Sequence, residues 1–249
     1  MKNIRGFISA ILGGFAVSIG CTAYLLLKNE SPLIAALMFG TGFLAAVVFG
    51  LKLYTDKSGY LFTHGKLERN IVKIIATMLG NIIGAFICGF AVSSRVYQNA
   101  YSALKTCITG SFVDLLIGSF ICGILIYIGI HGYRKAGGFT GCLLLFTSTT
   151  MIMLCDFDYA LFNIFTVSAS FKNLDYITSN IFNIVIAVFI AAIGNAIGAI
   201  LFATLCKIKD EKDDDNHHHH HHHRHKHKHH SSKKETKEVS KETIEEAGF

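Results

Sequence analysis

One six-residue word occurs twice in this chain, and each copy is embedded in a long run of apolar residues. Gly80-Asn81-Ile82-Ile83-Gly84-Ala85 returns 114 positions later as Gly194-Asn195-Ala196-Ile197-Gly198-Ala199. Few folds tolerate such a pattern. Paired glycines on one face of a helix leave a groove that a second helix can approach closely. An amide inside an apolar segment must find hydrogen-bond partners or a wet cavity. Gly80, Asn81, Gly84, Gly194 and Gly198 are therefore read as helix-packing positions. Asn195 has two readings, a wall of a path or a second packing amide. Recurrence at about half the length of the apolar region predicts two structural repeats.

The first 206 residues suit lipid better than water as a solvent. A membrane span takes about 20 apolar residues. Six runs qualify, at about 7–27, 32–54, 71–94, 112–130, 139–167 and 177–205. Residues 1–206 hold 13 Lys+Arg and 7 Asp+Glu, too few charges to cover a soluble core of that size. An all-α membrane domain of six transmembrane helices is expected over 1–206. The first run is followed by no small-x-small cleavage pattern, so it reads as a retained helix rather than a signal peptide. Seven scattered cysteines, none at CxxC spacing, suggest neither a disulfide framework nor a thiolate metal site.

Loop charge sets the expected orientation. Lys2 and Arg5 precede the first span, Lys57, Lys66 and Arg69 follow the second, and Arg134 and Lys135 follow the fourth. The alternate loops carry Lys28, then Arg95 and Lys105, then Lys172. The richer set belongs on the cytoplasmic side, which puts both termini there. Two sets of three spans then run in opposite senses, so the Gly-Asn words become counterparts in a 3+3 inverted repeat.

Spans two and five are interrupted. The second passes through Leu51-Lys52-Leu53-Tyr54-Thr55-Asp56-Lys57-Ser58-Gly59 and is expected to resume at Tyr60. The fifth contains Cys155-Asp156-Phe157-Asp158-Tyr159. Two carboxylates in an apolar segment are costly unless they face water, a cation or the bundle interior. Unwound backbone that lines a cavity permits this. Asp158 thus reads as a cap of a half-helix or as a pore contact.

The remaining residues, 207–249, are of another kind. An acidic stretch from Asp210 precedes a run of seven histidines, His217, His218, His219, His220, His221, His222 and His223. His225, His227, His229 and His230 alternate with Arg and Lys or follow them, and a Lys/Glu-rich stretch closes the chain. Such a segment buries no core and is expected to be a disordered cytoplasmic tail. Its histidines read as an expression tag, as a binder of Ni or Zn, or as passive low-complexity sequence. No other cofactor is suggested.

Several of these motifs resemble the formate/nitrite transporters. Arg69-Asn70 followed by Leu79-Gly80-Asn81-Ile82-Ile83-Gly84 is similar to that family's third helix, and Gly194-Asn195-Ala196-Ile197-Gly198 to its sixth. Gly50-Leu51-Lys52-Leu53-Tyr54-Thr55 resembles the break in its second helix, with Leu53 and Thr55 matching. Phe157-Asp158-Tyr159-Ala160-Leu161-Phe162-Asn163 resembles the fifth, with Phe157 and Asn163 matching and Asp158 replacing Glu. The resemblance implies an aquaporin-like inverted repeat with broken helices two and five, a pore in each subunit, and a homopentamer. It places Leu53 and Tyr54 at a constriction and makes Thr55 a gating residue. It also puts Tyr159, Asn163 and Asn195 on the pore, and Lys105 near the basic residue that attracts anions. Tyr159 stands where the family has a central histidine. Imidazole titrates near pH 6.5 and a phenol near 10, so this centre lacks a group that becomes a cation.

Two functions follow. The first is a channel for a small monovalent anion or its conjugate weak acid: formate, nitrite, hydrosulfide or a short carboxylate. The second is a metal-responsive membrane protein whose working part is the tail. The sequence carries no nucleophile–base pair or cofactor word, so an enzyme is not expected, nor is a nucleic-acid partner. The expected setting is a bacterial-type plasma membrane.

Overall fold

The computed structural model describes residues 2–62 and 66–208. His64 and the whole His-rich segment, His217 to His230, lie outside the described residues. The chain divides into two compact units, 1–204 and 205–249, whereas the sequence placed that boundary after residue 206. The described elements are helical: α1 (Lys2–Leu27), α2 (Pro32–Val48), α3 (Tyr54–Ser58), α4 (Leu67–Thr109), α5 (Phe112–Ala136), α6 (Gly138–Leu154), α7 (Ala160–Ala169), α8 (Leu174–Ser179) and α9 (Ile181–Ile208). No strand occurs among the described residues.

Among the described residues four helices are long and apolar enough to cross a membrane: α1, α4, α5 and α9. The runs at 32–54 and 139–167 do not form single helices. Each divides into a 17-residue helix, a non-helical bend and a shorter helix. The bends have local causes. At the end of α2, Gly50 takes φ +64°, the Leu51 N–H donates to the Ala46 carbonyl (2.8 Å) and the Gly50 N–H to that of Val47 (3.2 Å). That is a Schellman stop. At the end of α6, Asp156 takes φ +51° and the Phe157 N–H donates to the Ile152 carbonyl at 2.9 Å. The expected restart at Tyr60 is corrected: helix resumes at Tyr54, because its N–H is captured by a side chain described below.

The third run is also longer than hydropathy predicts. It was expected to end near 94, yet α4 continues to Thr109 over 43 residues, about 65 Å at 1.5 Å per residue. Polar residues lower the hydropathy there without stopping the helix. Asn99 instead ties α4 to the end of α1: its Nδ2 donates to the Leu25 carbonyl (2.6 Å) and its Oδ1 accepts from Asn29 (3.0 Å).

The Gly-Asn words sit where helices touch. A Cβ on Gly84 would overlap the Ile11 carbonyl of α1, and one on Gly198 the Phe120 carbonyl of α5. Gly80 faces Ala10 and Ile11, and Gly194 faces Ser119. The approach is reciprocal: Gly14 of α1 lies against the Asn81 backbone, and Gly123 of α5 against that of Asn195. On the opposite faces large apolar side chains point outward, among them Ile75, Leu79 and Phe90 on α4 and Phe182, Val185 and Phe189 on α9. Outward apolar faces beside inward polar amides suit a lipid or subunit boundary.

Candidate functional site

The first amide of each Gly-Asn word holds one bend in place. Asn81 Oδ1 accepts from the Tyr54 N–H (2.9 Å), while its Nδ2 donates to the carbonyls of Lys52 (2.8 Å) and Ala10 (2.6 Å). Asn195 Oδ1 accepts from the Ala160 N–H (3.0 Å), while its Nδ2 donates to the carbonyls of Asp158 and Ser119, both at 2.8 Å. In both cases one fully buried amide captures the first N–H of a short helix, a carbonyl of the bend before it, and a carbonyl of the packed long helix. These backbone groups leave helical pairing at the bends, and burial without partners would be costly. Asn195 makes one bond more: the Tyr54 hydroxyl donates to its Oδ1 at 3.1 Å, joining the start of α3 to that of α9's partner, α7.

Leu53, Tyr54, Thr55, Tyr159 and Asn195 are all buried where α3 and α7 begin. Leu53 and Tyr159 are the residues just before the two short helices, and both are extended. Tyr159 packs against Phe43 and Phe39, with ring centroids 5.5 and 6.3 Å away. The hydroxyls of Thr55 and Tyr159 neighbour each other, and neither has a further hydrogen-bond partner among the described residues. Buried polar atoms are nearly always satisfied. Two adjacent hydroxyls with no further partner in an aromatic-walled centre are what a small polar guest would require.

Cavities lie toward the two ends of α1. One of about 930 Å³ is lined by Gly6 and Phe7 near the start of α1, and by Lys52, Lys57, Arg69, Lys73 and Arg134. The other, about 360 Å³, is lined by Tyr24, Lys28, Asp114, Asp156, Asp158 and Asn163, among others. Residues 6 and 24 of one helix are about 27 Å apart, close to the thickness of a bilayer core. The first cavity is basic. Among the described residues no acidic side chain lines it, and Asp56, buried on α3, forms a two-pronged ion pair with Arg134 (2.5 and 3.0 Å). The second is acidic. Partial burial pushes the Lys28 ammonium below its ordinary value, and Asp156 offsets part of that.

The structure thus gathers five of the proposed pore residues at one centre and puts Asp158 and Asn163 on the acidic cavity. Asn163 is buried there beside the Asp158 carboxylate. Lys105 is exposed on α4 and does not line that cavity. Asp114, in the first turn of α5, also lines the acidic cavity. The basic cavity was missed, since its charges come from α3, α4, α5 and the first bend. Among the described residues no group of three or more His, Cys, Asp or Glu could hold a metal.

A sequence profile described as formate/nitrite transporter matches residues 1–208. A solved structure described as a pentameric formate channel with formate bound superposes with a TM-score of 0.72 at 17% identity, covering 84% of this chain and 98% of that one. A second, described as an FNT family ion channel, gives 0.74 at 16% identity, with 83% and 90% covered. No curated protein sequence matches the chain. At such identities the structural likeness is one of fold. Together with the long apolar helices, the profile match marks an integral membrane protein.

Proposed function

The chain belongs to the formate/nitrite transporter family, and from that premise we propose that it is a channel for a small monovalent anion or its conjugate weak acid. Formate, nitrite, hydrosulfide and short carboxylates each carry an oxygen or sulfur that can accept a hydrogen bond there. The observation that carries the proposal is the pair of adjacent, fully buried hydroxyls, Thr55 and Tyr159, with no partner beyond each other among the described residues, between cavities toward opposite ends of α1. Each hydroxyl can donate one hydrogen bond to an oxygen or sulfur of a permeant molecule. Leu53, Tyr54, Phe39 and Phe43 would make the surroundings apolar and exclude hydrated ions. Tyr159 supplies no titrating cation, so pH dependence would follow the permeant's own acidity or groups in the cavities.

In this reading α2 with α3, and α6 with α7, are broken second and fifth spans of a 3+3 inverted repeat. The matched bonding of Asn81 and Asn195 supports that. Five subunits would assemble with one pore each; the pentameric similar structure and the outward apolar faces of α4 and α9 support it. Both termini would be cytoplasmic, with the basic cavity on that side. Binding of Ni or Zn would rest on the tail.

The test is flux of a panel of weak acids into proteoliposomes across pH, for the wild type, Thr55→Val and Tyr159→Phe. Flux above that of empty liposomes, altered by both substitutions in protein of normal size and assembly, is the expected result. A chain that conducts none of the panel, or conducts identically with both hydroxyls removed, would sink the proposal.

A further inference from the structure

The basic cavity carries more positive charge than a monovalent permeant can balance. Lys52 leaves the first bend, Lys57 lies on α3, Arg69 and Lys73 lie on the first turns of α4, and Arg134 lies near the end of α5. Asp56 already occupies Arg134. The other four cations have no ion-pair partner among the described residues. Like charges sharing one cavity repel, and a polyvalent anion among them relieves several such repulsions at once. The volume, about 930 Å³, is that of a ligand-sized site rather than an ion-sized one.

The kinds of group are informative too. Arg69 with three Lys, Lys52, Lys57 and Lys73, from the first bend, α3 and α4, form the kind of set that recognises phosphate: a planar fork for paired oxygens and point charges around it. Phe7, Val72 and Ile74 add an apolar side. Basic pockets beside membrane helices take phosphate head groups for the same reasons.

We propose that this cavity binds a phosphate-bearing ligand of two or more negative charges, either a soluble phosphate compound or the head group of an acidic lipid. The ligand would bridge Lys52 and Lys57 on one side to Arg69 and Lys73 on the other. It would thereby tie α3, whose start bears Thr55, to the first turns of α4. The inference does not depend on the channel reading, because the binding can be measured without any flux.

The test uses the full chain in phosphatidylcholine nanodiscs. Inorganic pyrophosphate is titrated calorimetrically, and in a second arm native mass spectrometry reads the lipid retained after exchange with phosphatidylcholine vesicles containing phosphatidic acid. At least one probe should bind, more weakly at high salt. Arg69→Gln/Lys73→Gln and, separately, Lys57→Gln should each weaken that binding by roughly tenfold or more, the usual cost of a lost charge-assisted contact. Binding of pyrophosphate assigns a soluble source; retention of phosphatidic acid alone assigns a lipid. Absence of binding in both arms overturns the proposal. So does unchanged binding in the variants, which would place the phosphate on other basic residues of the chain. If the double variant does not fold, Lys57→Gln decides by the same criterion.

Discussion

The bends at 49–53 and 155–159 share a backbone plan and differ in chemistry. Each follows a 17-residue helix closed by a residue at positive φ, each precedes a short helix, and each is held by the Asn of a Gly-Asn word. Yet the residue whose carbonyl that Asn holds is Lys52 in one and Asp158 in the other. Lys52 lines a basic cavity and Asp158 an acidic one. The next residue is Leu53 in the first and Tyr159 in the second, so an apolar side chain at one bend corresponds to a phenol at the other. What stays alike is what burial enforces, because exposed peptide groups inside a membrane have no water to turn to. What differs is side-chain chemistry at positions where the backbone is already satisfied.

The most severe challenge to this likeness is to fill the two close contacts. Gly84→Leu and Gly198→Leu should each abolish folded protein, read as loss of the monodisperse peak in detergent. Overpacking a core costs about 1–3 kcal/mol where neighbours can yield. Here the obstacle is a backbone carbonyl, of Ile11 or Phe120, and it cannot swing aside. Tolerance of one substitution and not the other would mean that the halves are not held alike.

Next in size are the amides. Asn81→Ala removes three hydrogen bonds and Asn195→Ala four. A buried group left unpaired costs about 1–3 kcal/mol. Each variant should therefore lose about 3 kcal/mol or more in thermal unfolding, with Asn195→Ala the worse. A larger loss at Asn81 would show that the Tyr54 hydroxyl contributes little to joining the halves.

Those amides were legible in the sequence, because a polar residue inside an apolar segment stands out without any structure, and so was the apolar, all-helical character of the segments around them. Where helix resumes after the first bend was not legible. Hydropathy reads through Leu51, Leu53 and Tyr54 as one apolar run, since it cannot see that an amide 27 positions away takes the Tyr54 N–H. The length of α4 was hidden for the opposite reason: Arg95, Gln98 and Asn99 look like a loop, and only the bonds from Asn99 to α1 show why helix persists. The basic cavity was invisible because Lys52 and Arg134 are far apart in sequence and meet only in the fold.

A smaller effect on stability separates the centre from its scaffold. Tyr159→Phe and Thr55→Val remove hydroxyls with no partner beyond each other among the described residues, so each should change stability by less than about 1 kcal/mol. Weak-acid flux in the same protein should change several-fold. Tyr54→Phe deletes a real hydrogen bond to Asn195 and should cost about 1 kcal/mol. Tyr159→His should introduce a flux transition near about pH 6–7, the range in which imidazole titrates. If Tyr159→Phe is instead as damaging to folding as Tyr54→Phe, its hydroxyl is structural and the centre has been misread.

The smallest effect expected concerns the residues that close α2 and α6. Gly50 and Asp156 occupy the same left-handed region, at φ +64° and +51°. Glycine enters it without strain, and aspartate does so more readily than most residues because its short polar side chain bonds locally. A Cβ at Gly50 would meet no atom within 4 Å, so any cost of Gly50→Ala is conformational, about 1 kcal/mol in thermal unfolding. The reverse exchange should be nearly silent. Asp156→Gly relieves the left-handed strain but loosens the unfolded chain, and these oppose each other to within about 0.5 kcal/mol. Asp156→Asn keeps the backbone tolerance and removes only the charge. If Asp156 is there to stop the helix, Asn should match wild-type stability. If Asn is clearly less stable, the carboxylate beside Lys28 does more than end α6, and the second bend depends on its charge in a way the first does not.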